Sequence, residues 1–145
     1  MRPSTGIAIV LAALGTAWAA PMSRAQTPAE MAQTASYAAA HQNKDGGFAA
    51  KVGQPSTLGA TYSALKILKH VGGSVPDVLA CVNYVKSCRV PGVGFAQEPG
   101  GKPDVVTTAR GLMAASELKI NDSDMIREAV AYLGRSARSF DEVRM

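Results

Sequence analysis

The sequence predicts an all-α domain of about five helices, arranged as two and a half copies of a 47-residue repeat. Three observations support this fold class. Apolar residues recur every three or four positions. A self-comparison of the chain aligns at a fixed shift of 47 residues. No stretch alternates between apolar and polar residues for long enough to propose a strand. The 145 residues, 47% of them hydrophobic, are enough for one domain with its own core.

The N-terminus has the pattern of an export signal. A short basic start precedes an uncharged apolar run over residues 6–20, which is typical of the hydrophobic region of a signal peptide. The run is shorter than the roughly 20 residues that a membrane-spanning helix needs. We therefore expect an exported protein, periplasmic or extracellular, with no membrane span after processing. An uncleaved N-terminal anchor is the alternative.

Two cleavage positions fit the small-x-small pattern, one after Ala19 and one after Ala25. We favour Ala25 because residues 27–30 (TPAE) form a capping-box pattern that begins a helix. The expected organisation is a signal peptide over residues 1–25 and a repeat domain over residues 26–145.

The charge of the chain does not indicate a nucleic-acid partner. The full chain has 15 Lys and Arg against 11 Asp and Glu, a formal charge of +4. Removal of residues 1–25 takes away Arg2 and Arg24 and leaves a charge of +2. The remaining basic residues are scattered among acidic ones, which is typical of a solvated surface and not of a phosphate-binding track.

The first predicted helix covers residues 28–41 and begins at the capping box, where Pro28 occupies a position that needs no backbone donor. The second covers residues 56–71. Its apolar residues recur with the spacing of one helical face, and they are Leu58, Tyr62, Leu65, Leu68 and Val71.

Three more helices are predicted by the same spacing and by the capping residues that precede them. They cover residues 76–88, 104–118 and 123–138, entered through Ser74 and Pro76, through Asp104, and through Asp122 or Ser123. Glycine-rich connections separate the helices and supply the conformations that tight reversals require.

The repeat carries a Gly-Phe turn at the same place in each copy. The shift of 47 aligns Gly47 and Phe48 with Gly94 and Phe95, and we interpret both rings as structural plugs of the core. The same shift aligns the following residues: Tyr37 with Tyr84, Thr61 with Thr108, Asp77 with Asp124, and Val85 with Tyr132. The chain stops where a third Gly-Phe turn is due, so we expect the repeat domain to be incomplete at its C-terminus.

The segments QNKDGGFA (residues 42–49) and PDVVTTA (residues 103–109) resemble the repeats of protein prenyltransferase β subunits of the farnesyl and geranylgeranyl type. They are also similar to the repeats of squalene and oxidosqualene cyclases, in the terpenoid cyclase superfamily. The resemblance covers roughly residues 29–138. It implies a partial α/α toroid, in which inner helices are wrapped by outer helices around a funnel for an apolar substrate. The two segments favour a geranylgeranyl transferase type II β-like protein.

The resemblance also implies where catalytic groups would lie. In the β subunits a zinc ion is held by Asp, Cys and His, with the Asp and Cys two positions apart at the head of an inner helix. Here Asp104 is followed at that spacing by Val106, so the thiol is missing. Val106 also takes the place of the acid that protonates the substrate in the cyclases. We expect no cofactor, and zinc only if the family site is completed elsewhere.

Four residues are candidates for ligand binding: Asp104, Arg110, Tyr62 and Thr108. Asp104 either contacts a substrate head group or caps a helix. Arg110 either binds a carboxylate or diphosphate, or it is solvated or paired with an outer helix. No catalytic residue and no metal ligand is predicted.

Cys81 and Cys88 lie on one predicted helix. Seven helical residues separate their Cα atoms by about 10.5 Å, beyond the reach of a disulfide. Buried thiols are the expectation. A disulfide remains an alternative if the helix ends before Cys88. A metal ion shared with His41 is a further, weaker alternative.

These observations predict an exported, prenyltransferase-like repeat protein that binds an isoprenoid, another apolar ligand or a peptide without catalysing transfer. The alternatives are an active prenyltransferase subunit, or a truncated fragment of a larger transferase or cyclase. The apolar residues of the last helix have no following inner helix to cover them. We therefore expect self-association through the open end of the array.

Overall fold

The structure is a computed structural model that describes residues 25–136. This part of the chain forms five helices and one two-stranded antiparallel sheet. Their bounds are α1 Pro28–Ala39, α2 Leu58–His70, α3 Val78–Ser87, β1 Arg89–Val90, β2 Gly94–Phe95, α4 Val105–Glu117 and α5 Ser123–Ser136. The fold is the predicted partial α/α toroid.

Every helix end that falls within residues 25–136 lies within two residues of its predicted position. The predicted signal peptide up to residue 24, the end of the fifth helix at 138 and the C-terminal end of the repeat domain lie outside the described residues. The strands were not predicted, because two residues on each side are too few to show an alternating pattern.

The helices begin where polar side chains accept backbone N–H groups that have no partner within the helix. Thr27 and Glu30 form the predicted capping box of α1, with the Thr27 N–H donating to Glu30 Oε2 over 2.6 Å. Asp104 caps α4 in the same way, accepting the Thr107 N–H at Oδ1 over 2.8 Å. Thr57 and Asp77 cap α2 and α3.

Each Gly-Phe turn is fixed to the inner helix that follows it. The Phe48 N–H donates to Thr61 Oγ1 over 2.9 Å, and the Phe95 N–H donates to Thr108 Oγ1 over 3.0 Å. Both phenylalanine rings are fully buried. The two copies therefore share one hydrogen bond that positions a core ring and satisfies a buried amide.

The glycine of each turn permits this close approach. A Cβ atom on Gly47 would lie 2.6 Å from Ser56 Cβ and 2.7 Å from the Tyr84 ring. A Cβ atom on Gly94 would lie 2.4 Å from Thr108 Oγ1. Since all three distances are shorter than van der Waals contact allows, a side chain at either position would push the turn away from its neighbours.

The predicted shift of 47 residues is wrong for the fifth helix. The connections after α2 and α4 match as far as Gly73 and Ile120, whose N–H groups bond to the carbonyls of Leu68 and Ala115 over 2.7 and 2.9 Å. Beyond this point the cap of α3 is Asp77, whereas Asp122 accepts the Met125 N–H over 2.9 Å and begins α5. Asp77 therefore corresponds to Asp122 and not to Asp124. The second connection is two residues shorter, so the shift for α5 is 45.

Residue 42 and its equivalent 89 tie each Gly-Phe loop to the next outer helix. In copy one, Gln42 makes two hydrogen bonds with the backbone of Asp77, of 2.8 and 2.9 Å. In copy two, Arg89 pairs with Glu128 over 2.8 Å and with Asp122 over 3.5 Å. The Arg89 guanidinium holds the pKa of Glu128 below its usual range. We call these contacts the amide clamp and the ionic clamp.

The inner helices α2 and α4 pack side by side, and α1, α3 and α5 lie outside them. One core joins all five helices, and its largest fully buried side chains include Phe48, Phe95, Leu58, Leu68 and Met125. Within residues 25–136, none of the helices has the length and apolar character needed to cross a membrane.

Thr108→Val tests the hydrogen bond between the turn and the inner helix. The variant keeps the shape of the side chain but leaves the buried Phe95 amide without an acceptor, which costs about 1–3 kcal/mol. We expect Thr108→Val and Thr61→Val each to lower the free energy of unfolding by this amount in denaturant titrations. The matched control is Thr34→Val, whose hydroxyl only donates to a carbonyl of its own helix. A loss no larger than that of Thr34→Val would contradict the role of the hydroxyl.

Candidate functional site

The inner helices meet in a seam at the first turn of α2. The position that a Gly59 Cβ atom would occupy lies 3.1 Å from Arg110 Nη1 and 3.1 Å from Gln97 Nε2. Any side chain larger than glycine would displace one of these groups. The Leu58 N–H also donates to the Gln97 carbonyl over 2.8 Å, which fixes the loop of copy two against α2. The seam therefore places a guanidinium and an amide over the start of α2.

One row of residues on each inner helix continues from this point. The two rows follow helical spacing on the side of α2 and α4 that is turned away from the core. We call them together the inner face: Gly59, Ser63, Lys66 and His70 on α2, and Val106, Arg110, Met113 and Glu117 on α4. Tyr62 lies beside the α2 row, half-buried and packed on the core.

A small charge cluster lies at the far end of the inner face. Lys69 Nζ lies 2.6 Å from Glu117 Oε2, and Lys66 Nζ lies 3.6 Å from Glu117 Oε1. The hydrogen bond from Lys69 is the main reason that the pKa of Glu117 lies below its usual range. Both lysines are mostly exposed, so each pair adds less than about 1 kcal/mol to stability. The cluster keeps one net positive charge.

The structure places two of the four predicted ligand-binding residues near Gly59. Tyr62 lies one helical turn after Gly59, and Arg110 lies across Gly59 from the other inner helix. Asp104 is exposed and acts as the cap of α4. Thr108 is fully buried and its hydroxyl accepts the Phe95 N–H, so it lies away from the inner face.

Gln97 was not identified from the sequence. It follows the second Gly-Phe turn, and its equivalent in copy one is Ala50. The repeat comparison therefore gives no signal for it. Only the three-dimensional packing of the loop against α2 reveals its position beside Arg110.

The described residues do not fit the zinc site that the fold family implies. Within residues 25–136, no group of three or more His, Cys, Asp or Glu side chains could hold a metal ion. The Asp104 carboxylate is bonded to its own helix, and the residue two positions later is Val106. Burial raises the pKa of Cys81 and of Cys88 to about 11, so both thiols are protonated at neutral pH when no metal is bound.

Both cysteines are free and buried. Cys81 lies within α3, and Cys88 is the C-cap residue of the same helix. The helix is therefore continuous from Cys81 to the residue before Cys88. His41, the repeat equivalent of Cys88, is also buried, and its Nδ1 donates to the Tyr37 carbonyl over 2.7 Å. That ring nitrogen is therefore engaged in a hydrogen bond within α1 and its cap.

Comparison with protein families adds one finding. A family model described as the prenyltransferase alpha-alpha toroid domain matches residues 7–143. The matched range includes most of the segment that we predict to be a signal peptide. A search of curated proteins finds no significant match to the chain.

The two thiols are expected to be unreactive in the folded protein. At about pH 8, a thiol reagent should modify neither cysteine in the native chain and both in the denatured chain. Raised pKa values also make stability depend on pH: the contribution is fully present below the ordinary value of 9.0 and is lost as pH rises toward 11.

The control for this prediction is the double variant Cys81→Ala with Cys88→Ala. Its denaturation midpoint should fall less steeply between pH 9.0 and about pH 11 than that of the unmodified chain. Rapid modification of either cysteine in the native chain would show that the thiols are accessible and would contradict the prediction.

Proposed function

Since the chain belongs to the prenyltransferase α/α-toroid family, as its sequence motifs suggested, we propose that it is an exported member that binds an isoprenoid or a related apolar chain without transferring it. The observation that supports this proposal best is the seam at Gly59. There, Arg110 and Gln97 lie at one end of an inner face that also carries Tyr62 and Met113.

The apolar part of the ligand would lie along the inner face. Met113 is 36% exposed, and Val106 and Tyr62 are half-buried. A methionine adapts its shape to an irregular apolar partner, and an aromatic ring offers a large rigid surface at low entropy cost. These three side chains favour a flexible hydrocarbon chain over a compact polar metabolite.

The polar part of the ligand would lie near Arg110. A guanidinium recognises carboxylate and phosphate groups through paired hydrogen bonds, and the Gln97 amide beside it offers both donors and an acceptor. We therefore assign the site to an apolar chain with an acidic or hydroxyl head group.

We propose binding without transfer because prenyl transfer needs an acceptor group that is activated as a nucleophile. Prenyl transfer to a thiol requires a thiolate, which a metal ion or a lowered pKa supplies. The donor set for a zinc ion that would activate the thiol of an acceptor peptide is incomplete among the described residues. The alternative is an active subunit, or a piece of a larger enzyme, whose zinc ligands come from elsewhere.

Binding can be measured with two fluorescent probes, a dansyl-labelled C20 isoprenoid alcohol and its diphosphate. We expect both to bind saturably. Arg110→Gln should weaken the diphosphate about tenfold, the size of a charged hydrogen bond, and leave the alcohol unchanged. Tyr62→Ala should weaken both probes. Lys51→Gln, on an exposed loop outside the inner face, is the matched control.

Two outcomes decide against the proposal. Absence of saturable binding for both probes would remove the ligand assignment. Formation of a thioether product with a cysteine peptide and added zinc, together with one bound zinc per chain by elemental analysis, would establish the active-subunit alternative in its place.

Export is tested separately, by mass spectrometry of the chain after expression in a Gram-negative bacterium. We expect the chain in the periplasmic fraction with Gln26 as its first residue. Cleavage after Ala19 would leave Ala20 as the first residue. Retention of Met1 in the membrane fraction would contradict processing and support the uncleaved anchor.

A further inference from the structure

An apolar groove lies on the side of α2 that faces away from α4. It is lined by Tyr37 and His41 at the end of α1 and by Ala60, Ser63, Ala64 and Ile67 on α2, and it has a volume of about 220 Å³. We call this surface the leading edge. Tyr37 is 70% exposed and Ile67 is 42% exposed, an unusual exposure for adjoining large side chains.

The second copy shows what covers the equivalent surface inside the chain. The shift of 47 takes Tyr37 to Tyr84 and Ile67 to Ala114, which are 3% and 0% exposed. Copy one covers both of these positions: Gly47 lies against the Tyr84 ring, and α2 packs along α4. The leading edge is therefore a repeat interface that lacks its partner among residues 25–136.

The opposite surface, on α4 and α5, has the complementary character. Three residues of α4 are the repeat equivalents of residues on the side of α2 that faces α4. The pairs are Ala109 with Tyr62, Met113 with Lys66, and Ser116 with Lys69. On α5, the corrected shift of 45 takes the fully buried Cys81 and Val85 to Ile126 and Val130.

These two residues of α5 are 40% and 54% exposed. They line a groove of about 560 Å³ together with Leu112 and Ile120. We call the surface formed by Met113, Ser116, Ile126 and Val130 the trailing edge.

We propose that the trailing edge of one chain docks on the leading edge of a second copy of the same chain. The contact repeats the packing of copy one on copy two, so α4 of one chain takes the place that α2 holds against α4 within the chain. The facing positions Ser63 and Ile67, and Met113 and Ser116, carry no charge, so these four positions form no like-charge pair across the contact. Lys119 is a charged residue that also lines the trailing groove. A second copy is the occupant because the chain already contains both sides of this interface.

Such a contact is heterologous, since each chain uses two different surfaces. Each added chain leaves one leading edge and one trailing edge open, so association continues until a ring closes or a curved filament forms. This distinguishes the proposal from a two-fold dimer, in which one surface would meet itself.

Two variants separate the edges. Ile67→Glu places a charge on the leading edge and Met113→Glu places one on the trailing edge, both at partly exposed positions where folding should be preserved. In light scattering at micromolar concentrations, the unmodified chain should form oligomers and each variant alone should be monomeric. An equal mixture should form a one-to-one dimer, because each variant keeps the edge that the other has lost.

The matched control is Leu79→Glu, a similar substitution at a residue of α3 that is 71% exposed and outside both edges; it should associate like the unmodified chain. If Ile67→Glu or Met113→Glu fails to fold by circular dichroism, Ser63→Glu and Ser116→Glu serve as the second pair, since both serines are exposed.

Three results would overturn the proposal. The first is that the unmodified chain is monomeric. This result would overturn the proposal whether or not another segment of the same chain, such as residues 7–24 or 137–145, covers an edge. The second is a mixture of the two variants that remains monomeric while both are folded. The third is association of either variant as strong as that of Leu79→Glu. Light scattering reports association and not ligand binding, so these results leave the proposed function to the probe titrations. Those titrations use Arg110→Gln and Tyr62→Ala, which lie outside both edges.

Discussion

The architecture depends on a buried backbone amide in each glycine-phenylalanine turn and on the threonine hydroxyl that accepts it. The amides of Phe48 and Phe95 would lose hydrogen bonds to water on burial, and Thr61 and Thr108 replace them. The bond also fixes the ring beneath the inner helix, so one contact satisfies a polar group and completes the apolar core. The glycine before each ring permits a close approach, of Gly47 to the Tyr84 ring of α3 and of Gly94 to Thr108 of α4.

The two copies use this common frame and differ in the surfaces that they present. Tyr84 is enclosed by copy one, whereas its equivalent Tyr37 is mostly exposed. Gly59 gives the seam room for Arg110 and Gln97, a pair with no counterpart in copy one because Ser63 and Ala50 occupy the equivalent positions. The polar character of the inner face therefore arises from substitutions at positions that the frame leaves unconstrained, and not from the frame itself. This is why membership of the family carries the fold without settling the chemistry.

Local and periodic signals predicted most of the fold. Apolar spacing and capping residues identified all five helices, and the fixed shift identified the turns that join them. The prediction of Asp124 as the equivalent of Asp77 was wrong because the connection before α5 is two residues shorter, and a shift without gaps cannot register a deletion. At the seam, Tyr62 and Arg110 could be proposed from sequence because they lie on helices of known phase. Gln97 could not, since a loop residue's position depends on contacts that are distant in the chain. The buried hydroxyl of Thr108 was equally hidden, because sequence does not distinguish a threonine that faces a funnel from one that faces a turn.

The amide clamp and the ionic clamp hold equivalent loops by different physical means, and this gives the two halves of the arc different sensitivities to their medium. Gln42 holds α3 through neutral hydrogen bonds that neither salt nor ordinary acidity weakens. Arg89 holds α5 through carboxylates, and the lowered pKa of Glu128 means that this contribution is present at neutral pH and is lost as the pH falls through the folded-state value. Salt screens the same ion pairs. At low pH or high salt, the attachment of α5 would therefore weaken while that of α3 is kept.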